Sequence, residues 1–180
     1  MRLIGMLDSP YVRRVAISLE LYGVDFVHEP LSVFSTYSEF ARINPVVKAP
    51  TLVLDDGTVL MDSSLILDYL EALAPADKKL LPQAPTARAK DLQLLGLALA
   101  ACEKSVQIVY EHNLRPAEKQ HAPWLERVNA QLLAAYTLLD QHLSQTDNEA
   151  LTQASLTAAV AWSFSQFTVD RKSTRLNSSH

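Results

Sequence analysis

The 180-residue chain has a single cysteine, Cys102, which excludes an internal disulfide and any Cys-x-x-Cys redox or zinc site. A chain without disulfides fits a reducing compartment, so we expect a cytoplasmic protein. Only four glycines are present, which argues against an all-β protein with many turns. The sequence therefore favours long helices with few strands.

Positive charge is also scarce, because the formal net charge is −4 and no basic surplus remains to neutralise phosphates. The apolar character of residues 1–6 is too short for a signal peptide. No run approaches the roughly 20 apolar residues that a membrane span needs. The histidines show no metal-ligand spacing. We therefore expect no nucleic-acid partner, no membrane partner and no metal site.

The first part of the chain reads as strand, helix and strand. Residues 2–7 predict a buried strand. Ser9 as N-cap and Pro10 at the first helical position then begin a helix. Gly23 ends that helix as a left-handed C-cap, and residues 24–31 predict a second strand. The short connections predict a parallel pair of strands.

A short helix, a β-hairpin and a closing helix follow, and the predicted apolar stripe of the closing helix consists of Leu65, Ile66, Tyr69, Leu70 and Leu73. Pro50 opens the first hairpin strand, where a proline need not donate to the ladder. Asp56 and Gly57 predict a two-residue turn, and Asp62 with Ser63 caps the next helix. The order β-α-β-α-β-β-α predicts an α/β sandwich with a mixed four-stranded sheet.

One end of this unit combines an unpaired strand edge with a helix N-terminus. A cis Pro50 would turn the chain and leave the backbone of Ala49 pointing outward, where a bound peptide can pair with it. The free N–H groups at Asp62 and Ser63 favour an anion. This end therefore suits a small peptide-like ligand that bears a carboxylate.

The composition changes after residue 75, where prolines and charges predict a linker over 76–85 between a domain over 1–75 and an all-helical domain over 86–169. Apolar residues three and four apart predict a long helix to His112, a second from Pro123 and a third capped by Ser155. The predicted apolar stripe of the first of these helices consists of Leu92, Leu95, Leu99, Cys102, Val106 and Val109. Residues 170–180 lack periodicity, which predicts a disordered tail. That tail resembles non-native sequence, and we expect that native helices are missing.

Three motifs in this order resemble the cytosolic glutathione S-transferase family, over residues 1–167. Ser9-Pro10-Tyr11-Val12-Arg13-Arg14-Val15 is similar to the segment that opens the first helix of small bacterial, serine-type members. Asn44-Pro45-Val46-Val47-Lys48-Ala49-Pro50-Thr51-Leu52 resembles the Asn-Pro-x-x-Lys-Val-Pro-x-Leu segment of the family, and Asp62-Ser63 resembles its acidic-Ser pair.

The resemblance implies a thioredoxin-like first domain that binds glutathione as an extended peptide. The cysteinyl backbone would pair with Ala49 beside a cis Pro50, and the γ-glutamyl carboxylate would lie at Asp62 and Ser63. Lys48 would face the glycine carboxylate, and Ser9 would donate a hydrogen bond to the sulfur. The resemblance also implies a homodimer that conjugates glutathione to small electrophiles in detoxification. The Asp that the family carries in the Ser-x-x-Asp cap would correspond to Ala158, so we expect a weakened cap.

Simpler roles remain open for each of these residues. Ser9 is also an ordinary N-cap, Tyr11 is an alternative donor to the sulfur, and Lys48 is also an ordinary solvated charge. Arg13 and Arg14 read first as helix surface. Two other functions also remain open: glutathione-dependent reduction of peroxides or disulfides, and a binding or regulatory module without catalysis.

Overall fold

The computed structural model describes residues 1–144 and 150–170. The tail predicted over 170–180 lies outside the described residues beyond Asp170. The chain divides into two units, Met1–Leu80 and the part from Leu81 onward. The predicted linker over 76–85 spans this division and contains a short 3-10 helix, Ala76–Lys78.

The first unit has the predicted element order, which is confirmed. Its elements are β1 (Arg2–Ile4), α1 (Pro10–Tyr22), β2 (Val27–Glu29), α2 (Tyr37–Ile43), β3 (Thr51–Val53), β4 (Val59–Met61) and α3 (Ser63–Leu73). The sheet order is β2-β1-β3-β4, with β1 parallel to β2 and antiparallel to β3. This arrangement is a mixed four-stranded sheet, as the sequence predicts.

Strands β1 and β2 are shorter than the sequence predicts. Strand β1 ends at Ile4 because Gly5 turns the backbone with φ 138°. Both ends of α1 are as predicted: Ser9 is the N-cap, and Gly23 ends the helix at φ 71°. Apolar side chains are buried on both faces of the sheet, since the neighbouring strand residues Leu3 and Ile4 point to opposite faces. The residues at 0% exposure include Leu3, Ile4, Val12, Val15, Leu19, Phe40, Leu52, Ile66 and Leu70.

The apolar stripe predicted for α3 is rotated in the structure. Leu65 and Leu73 are exposed, whereas Ile66, Leu67 and Leu70 are buried. Next to this stripe, the buried carboxylate of Glu71 accepts hydrogen bonds from the Tyr22 hydroxyl at 2.7 Å and from the Leu80 backbone N–H at 3.2 Å. Through this bond, the segment that follows α3 is held against the first unit as far as Leu80.

The second unit is built from α4 (Pro85–Leu114), α5 (Ala122–Leu143) and α6 (Gln153–Ser165), followed by a π-helical turn, Gln166–Asp170. Helix α4 packs against both α5 and α6. By length and composition alone, α4 is long and apolar enough to cross a membrane, which differs from the expectation from the sequence, although a helix in a protein core passes the same test. Three hydroxyls join the helices, because the buried Ser165 Oγ lies 2.6 Å from both the buried Ser105 Oγ and the partly buried Tyr136 OH.

The buried face of α4 differs from the predicted leucine stripe. Leu92 is exposed, and Cys102 is the one predicted position that is fully buried. The buried face is made largely of small or polar residues, namely Asp91, Leu94, Ala98, Ala101, Cys102, Ser105, Ile108 and Glu111. Small side chains let neighbouring helices approach closely. A prediction based on the spacing of large apolar residues does not detect such a face.

The cap of α6 was predicted in the wrong register. Thr152, not Ser155, is the N-cap, and its Oγ1 accepts from the Ser155 backbone N–H at 3.3 Å. Ser155 Oγ accepts from the Thr152 backbone N–H at 3.0 Å, which completes a capping box. The fourth position of the box is therefore Ser155 rather than Ala158, and the expected loss of the reciprocal partner is wrong.

Candidate functional site

Ser9 lies half-buried at the N-terminus of α1, where its Oγ accepts from the Val12 backbone N–H at 3.4 Å. The hydroxyl acts as acceptor in this bond, so the bond does not use its proton. The same side chain can therefore cap the helix and donate to a ligand. Tyr11, the alternative donor, is half-buried in the first turn of α1.

Gly5 lies between Ser9's helix and the loop that carries Ala49. A Cβ built on Gly5 would meet Val12 Cγ2 at 2.6 Å and Ala49 Cβ at 3.2 Å. The N–H of Gly5 donates to the Glu29 carbonyl at 3.1 Å. Only glycine fits so tightly at this φ, and the fit brings α1 and the Ala49 loop together.

The Ala49–Pro50 peptide bond is cis, which confirms that sequence prediction. Strand β3 begins at Thr51, so Ala49 lies outside the β-ladder. A side-chain relay fixes the loop: Asn44 Nδ2 donates to Thr51 Oγ1 at 2.9 Å, and Thr51 Oγ1 donates to the Lys48 carbonyl at 2.7 Å. From the sequence, Asn44 was identified only as part of a family motif, and this role in fixing the loop was missed.

Asp62 is the N-cap of α3, with an unusual φ of 72° for a residue other than glycine. Its Oδ1 accepts from the Ser64 backbone N–H at 2.9 Å. Its Oδ2 lies 3.9 Å from Lys48 Nζ, and both side chains are about half exposed. The structure thus brings Lys48, Asp62 and Ser63 to one edge of the unit, at the start of a helix. Non-glycine residues held at such angles cluster at ligand sites.

Arg14 is a site residue that the sequence analysis assigned to the helix surface. Its side chain is buried at 1% exposure. Its Nη1 donates to Ser63 Oγ at 3.1 Å and to Ser64 Oγ at 3.2 Å. The spacing along α1 could have indicated this burial, because Arg14 lies four residues before the buried Ser18 and therefore on the same face of the helix.

The electrostatics of this edge favour an anion. The N-terminus of α3 carries a partial positive charge, and the guanidinium of Arg14 lies directly against its first turn. Lys48 adds a second, exposed cation. In residues 1–144 and 150–170, no group of three or more His, Cys, Asp and Glu side chains that could hold a metal ion is found.

Comparison with known proteins gives one family model and several similar chains. The model described as "Glutathione S-transferase, N-terminal domain" matches residues 3–78. The uncharacterized GST-like protein YibF of Escherichia coli K12 is 28% identical over 168 residues, covering 90% of this chain and 81% of YibF.

Two solved structures are similar along nearly the whole chain. A glutathione transferase family member from Pseudomonas fluorescens Pf-5, with bound S-(propanoic acid)-glutathione, is 30% identical with a TM-score of 0.81 and covers 98% of this chain and 88% of its own. A glutathione S-transferase from Methylobacterium radiotolerans JCM 2831, in complex with glutathione sulfonate, is 26% identical with a TM-score of 0.87, over 94% and 81% of the two chains.

Proposed function

Because this chain belongs to the glutathione S-transferase family, we propose that it binds glutathione and conjugates it, through its sulfur, to small electrophiles. The observation that carries the proposal is the meeting of three segments that lie far apart in sequence. Val12 and Ala49 approach Gly5 so closely that no Cβ would fit there, while Arg14 of α1 donates to Ser63 at the start of α3. The two similar structures described above contain glutathione derivatives, which supports the ligand.

In the proposed complex, the tripeptide extends between the N-termini of α3 and α1. Its γ-glutamyl carboxylate lies at Asp62 and Ser63, over the charge of Arg14. Its cysteinyl backbone pairs with Ala49. Lys48 turns to the glycine carboxylate, and its exposed 3.9 Å contact with Asp62 contributes too little stability to prevent that movement.

Ser9 is the proposed catalytic residue. A free thiol has a pKa of about 8.5, so little thiolate exists at pH 7. The Ser9 O–H and the N-terminus of α1 both favour the anion, which lowers the thiol pKa. The thiol proton leaves to solvent, and the thiolate attacks the electrophile without a general base.

We also propose that the protein is a cytoplasmic homodimer that acts in detoxification, as the family resemblance implies. Exposed Leu65 and Leu73 on α3 support a self-association surface. Cys102 is buried in the second unit, so dithiol chemistry by this chain has no support. Glutathione-dependent reduction, in which the peptide sulfur alone reacts, is the remaining enzymatic alternative.

The test is a thermal melt with and without reduced glutathione, beside cysteinylglycine, which lacks the γ-glutamyl group. A ligand at a hundredfold excess over its Kd stabilises the native state by about 2.7 kcal/mol. We expect a clear rise in melting temperature with glutathione and a much smaller one with cysteinylglycine. Equal melting temperatures in all three samples would contradict the proposed ligand.

Reaction assays then separate the enzymatic functions. Turnover of 1-chloro-2,4-dinitrobenzene with glutathione supports conjugation. Turnover of an organic hydroperoxide with glutathione, without turnover of 1-chloro-2,4-dinitrobenzene, would favour reduction. Binding without turnover of either compound would favour a non-catalytic binding module.

A further inference from the structure

His28 of β2 holds the carbonyl of Gly5 at the end of β1. The ring Nε2 lies 2.8 Å from the Gly5 oxygen in a partly buried position. A carbonyl oxygen can only accept, so Nε2 must carry the proton and donate. This bond joins two neighbouring strands through a side chain, at the residue where β1 leaves the sheet.

Both backbone groups of Gly5 are therefore held by β2. The N–H donates to the carbonyl of Glu29 at 3.1 Å, and the oxygen accepts from His28. On its open face, Gly5 packs closely on Val12 and Ala49. A shift of Gly5 would therefore disturb Val12, whose N–H donates to Ser9 Oγ, or Ala49, which we propose pairs with the cysteinyl backbone of glutathione.

The turn from Gly5 to Ser9 is short, and two further hydrogen bonds hold its later part to α1. The Ser9 N–H donates to the Met6 carbonyl at 3.2 Å, and Arg13 Nε donates to the Leu7 carbonyl at 2.9 Å. Met6, Leu7 and Asp8 are exposed, so the turn has little packing of its own. At its start, the turn is held to the sheet through Gly5, so the position of Ser9 relative to Ala49 depends on how firmly Gly5 is held.

We propose that His28 is a positioning residue, which fixes Gly5 and thereby sets Ser9 opposite the ligand sulfur. The inference rests on the proposed function, since it gives His28 a task in the same site. Loss of the donor leaves a partly buried carbonyl without its partner. The turn then relaxes, and the Ser9 hydroxyl moves away from the sulfur.

The experiment compares His28→Leu with His28→Gln, whose amide nitrogen can donate at a similar reach. The matched control is His112→Leu, which removes a ring bonded to Gln120 in the second unit. Measurements are the pKa of the bound glutathione thiol, from thiolate absorbance against pH, and kcat and KM for conjugation. Thermal melts report stability separately.

We expect His28→Leu to raise the bound thiol pKa toward its free value and to lower kcat by about tenfold, or about 1.4 kcal/mol. KM for glutathione changes little, because the contacts at α3 are intact. His28→Gln restores most of both quantities, and His112→Leu changes neither. A lowered melting temperature with unchanged thiol pKa and kcat in His28→Leu would overturn the proposal.

If the wild-type protein does not bind glutathione, the proposed function is contradicted. The role of His28 can still be tested without any ligand. Amide hydrogen exchange at Val12 reports the bond to Ser9 Oγ without any ligand. Faster exchange there in His28→Leu, reversed in His28→Gln, supports the positioning role. Unchanged exchange overturns it.

Discussion

Arg14 reaches from the first helix to the start of the third, where its Nη1 donates to Ser63 Oγ at 3.1 Å. The guanidinium is buried at 1% exposure, so it acts on the α3 N-terminus with little screening by water. This contact orients the serine to which we assign the γ-glutamyl carboxylate. It also places a positive charge beneath that position.

Arg14→Met should weaken glutathione binding about tenfold and should also destabilise the fold. Methionine fills similar space but leaves two serine hydroxyls without their donor, at a cost of about 1–3 kcal/mol for a buried group. Calorimetric titration with glutathione and denaturant unfolding measure the two effects. Arg127→Met, at an exposed position on α5, is the control and should leave both unchanged. An unaltered affinity of Arg14→Met for glutathione would show that Arg14 does not contribute to the binding site.

Ser9→Ala and Ser9→Gly separate the capping role of Ser9 from its proposed chemical role. Both remove the hydroxyl, but alanine as N-cap costs about 1 kcal/mol of stability whereas glycine costs only a few tenths. We therefore expect equal losses of conjugation rate and unequal losses of stability. Glutathione binding should persist in both variants. A rate loss confined to Ser9→Ala would show that helix stability, rather than the hydroxyl, supports the activity.

Gly5→Ala should destabilise the first unit by at least about 2 kcal/mol, because it adds both backbone strain and a steric clash. The new Cβ would meet Val12 Cγ2 at 2.6 Å, with φ at 138°. Gly57→Ala is the matched control, since φ is 88° there and no atom lies within 4 Å of the added Cβ. Denaturant unfolding of both variants isolates the clash. Equal losses would mean that the contact with Val12 relaxes freely.

Thr152→Ala should destabilise the second unit by about 1 kcal/mol through loss of the α6 cap. Ser155→Asp should be tolerated, because an acidic side chain at the fourth position can still accept from the Thr152 N–H. Ala158→Asp should destabilise, since Ala158 packs partly buried against Leu94, Ala98, Leu139 and Ala154. Thermal melts rank the three variants. A higher melting temperature for Ala158→Asp than for Ser155→Asp would support the register predicted from sequence, in which Ser155 is the N-cap and Ala158 the fourth position.

Asp56 should make the stability of the hairpin dependent on pH. Hydrogen bonds from Thr58, chiefly from its backbone N–H, lower the pKa of Asp56 below its ordinary value of 3.8. A carboxyl whose pKa is lower in the folded state stabilises that state above the unfolded pKa, and this contribution is lost as the pH falls through the folded pKa. Asp56→Ala should therefore lower the melting temperature at pH 7 and differ less from wild type in acid. An equal difference in melting temperature between Asp56→Ala and wild type at pH 7 and in acid would contradict this prediction.

Local signals in the sequence were sufficient for the order of elements in the first unit. The Ser9-Pro10 start and the Gly23 end of α1 are set by backbone chemistry within a few residues. The two-residue turn predicted at Asp56 and Gly57 is wrong, because the Gly57 N–H donates to the Leu54 carbonyl at 3.0 Å and the central residues of the turn are Asp55 and Asp56. The cis bond before Pro50, which the family resemblance implied, is confirmed. The site roles of Ser9, Lys48, Ala49, Asp62 and Ser63 remain predictions that the experiments above can test.

What the sequence analysis missed depends on contacts between distant segments. Arg14 looks like a surface arginine until α3 brings Ser63 and Ser64 to its guanidinium, 49 and 50 residues away. The buried face of α4 contains Ala98 and Ala101, which have less apolar surface than the leucines that miss it. The side that a helix buries depends on its neighbours as well as on its own hydrophobicity.

The bond from the Leu80 N–H to Glu71 has a practical meaning for anyone who wishes to study the first unit in isolation. A fragment that stops at residue 75 would lose a donor to a buried carboxylate and would also lose the buried side chain of Leu80. A fragment that continues through Leu80 keeps both. The place to cut this protein therefore lies five residues beyond the boundary that its composition suggests.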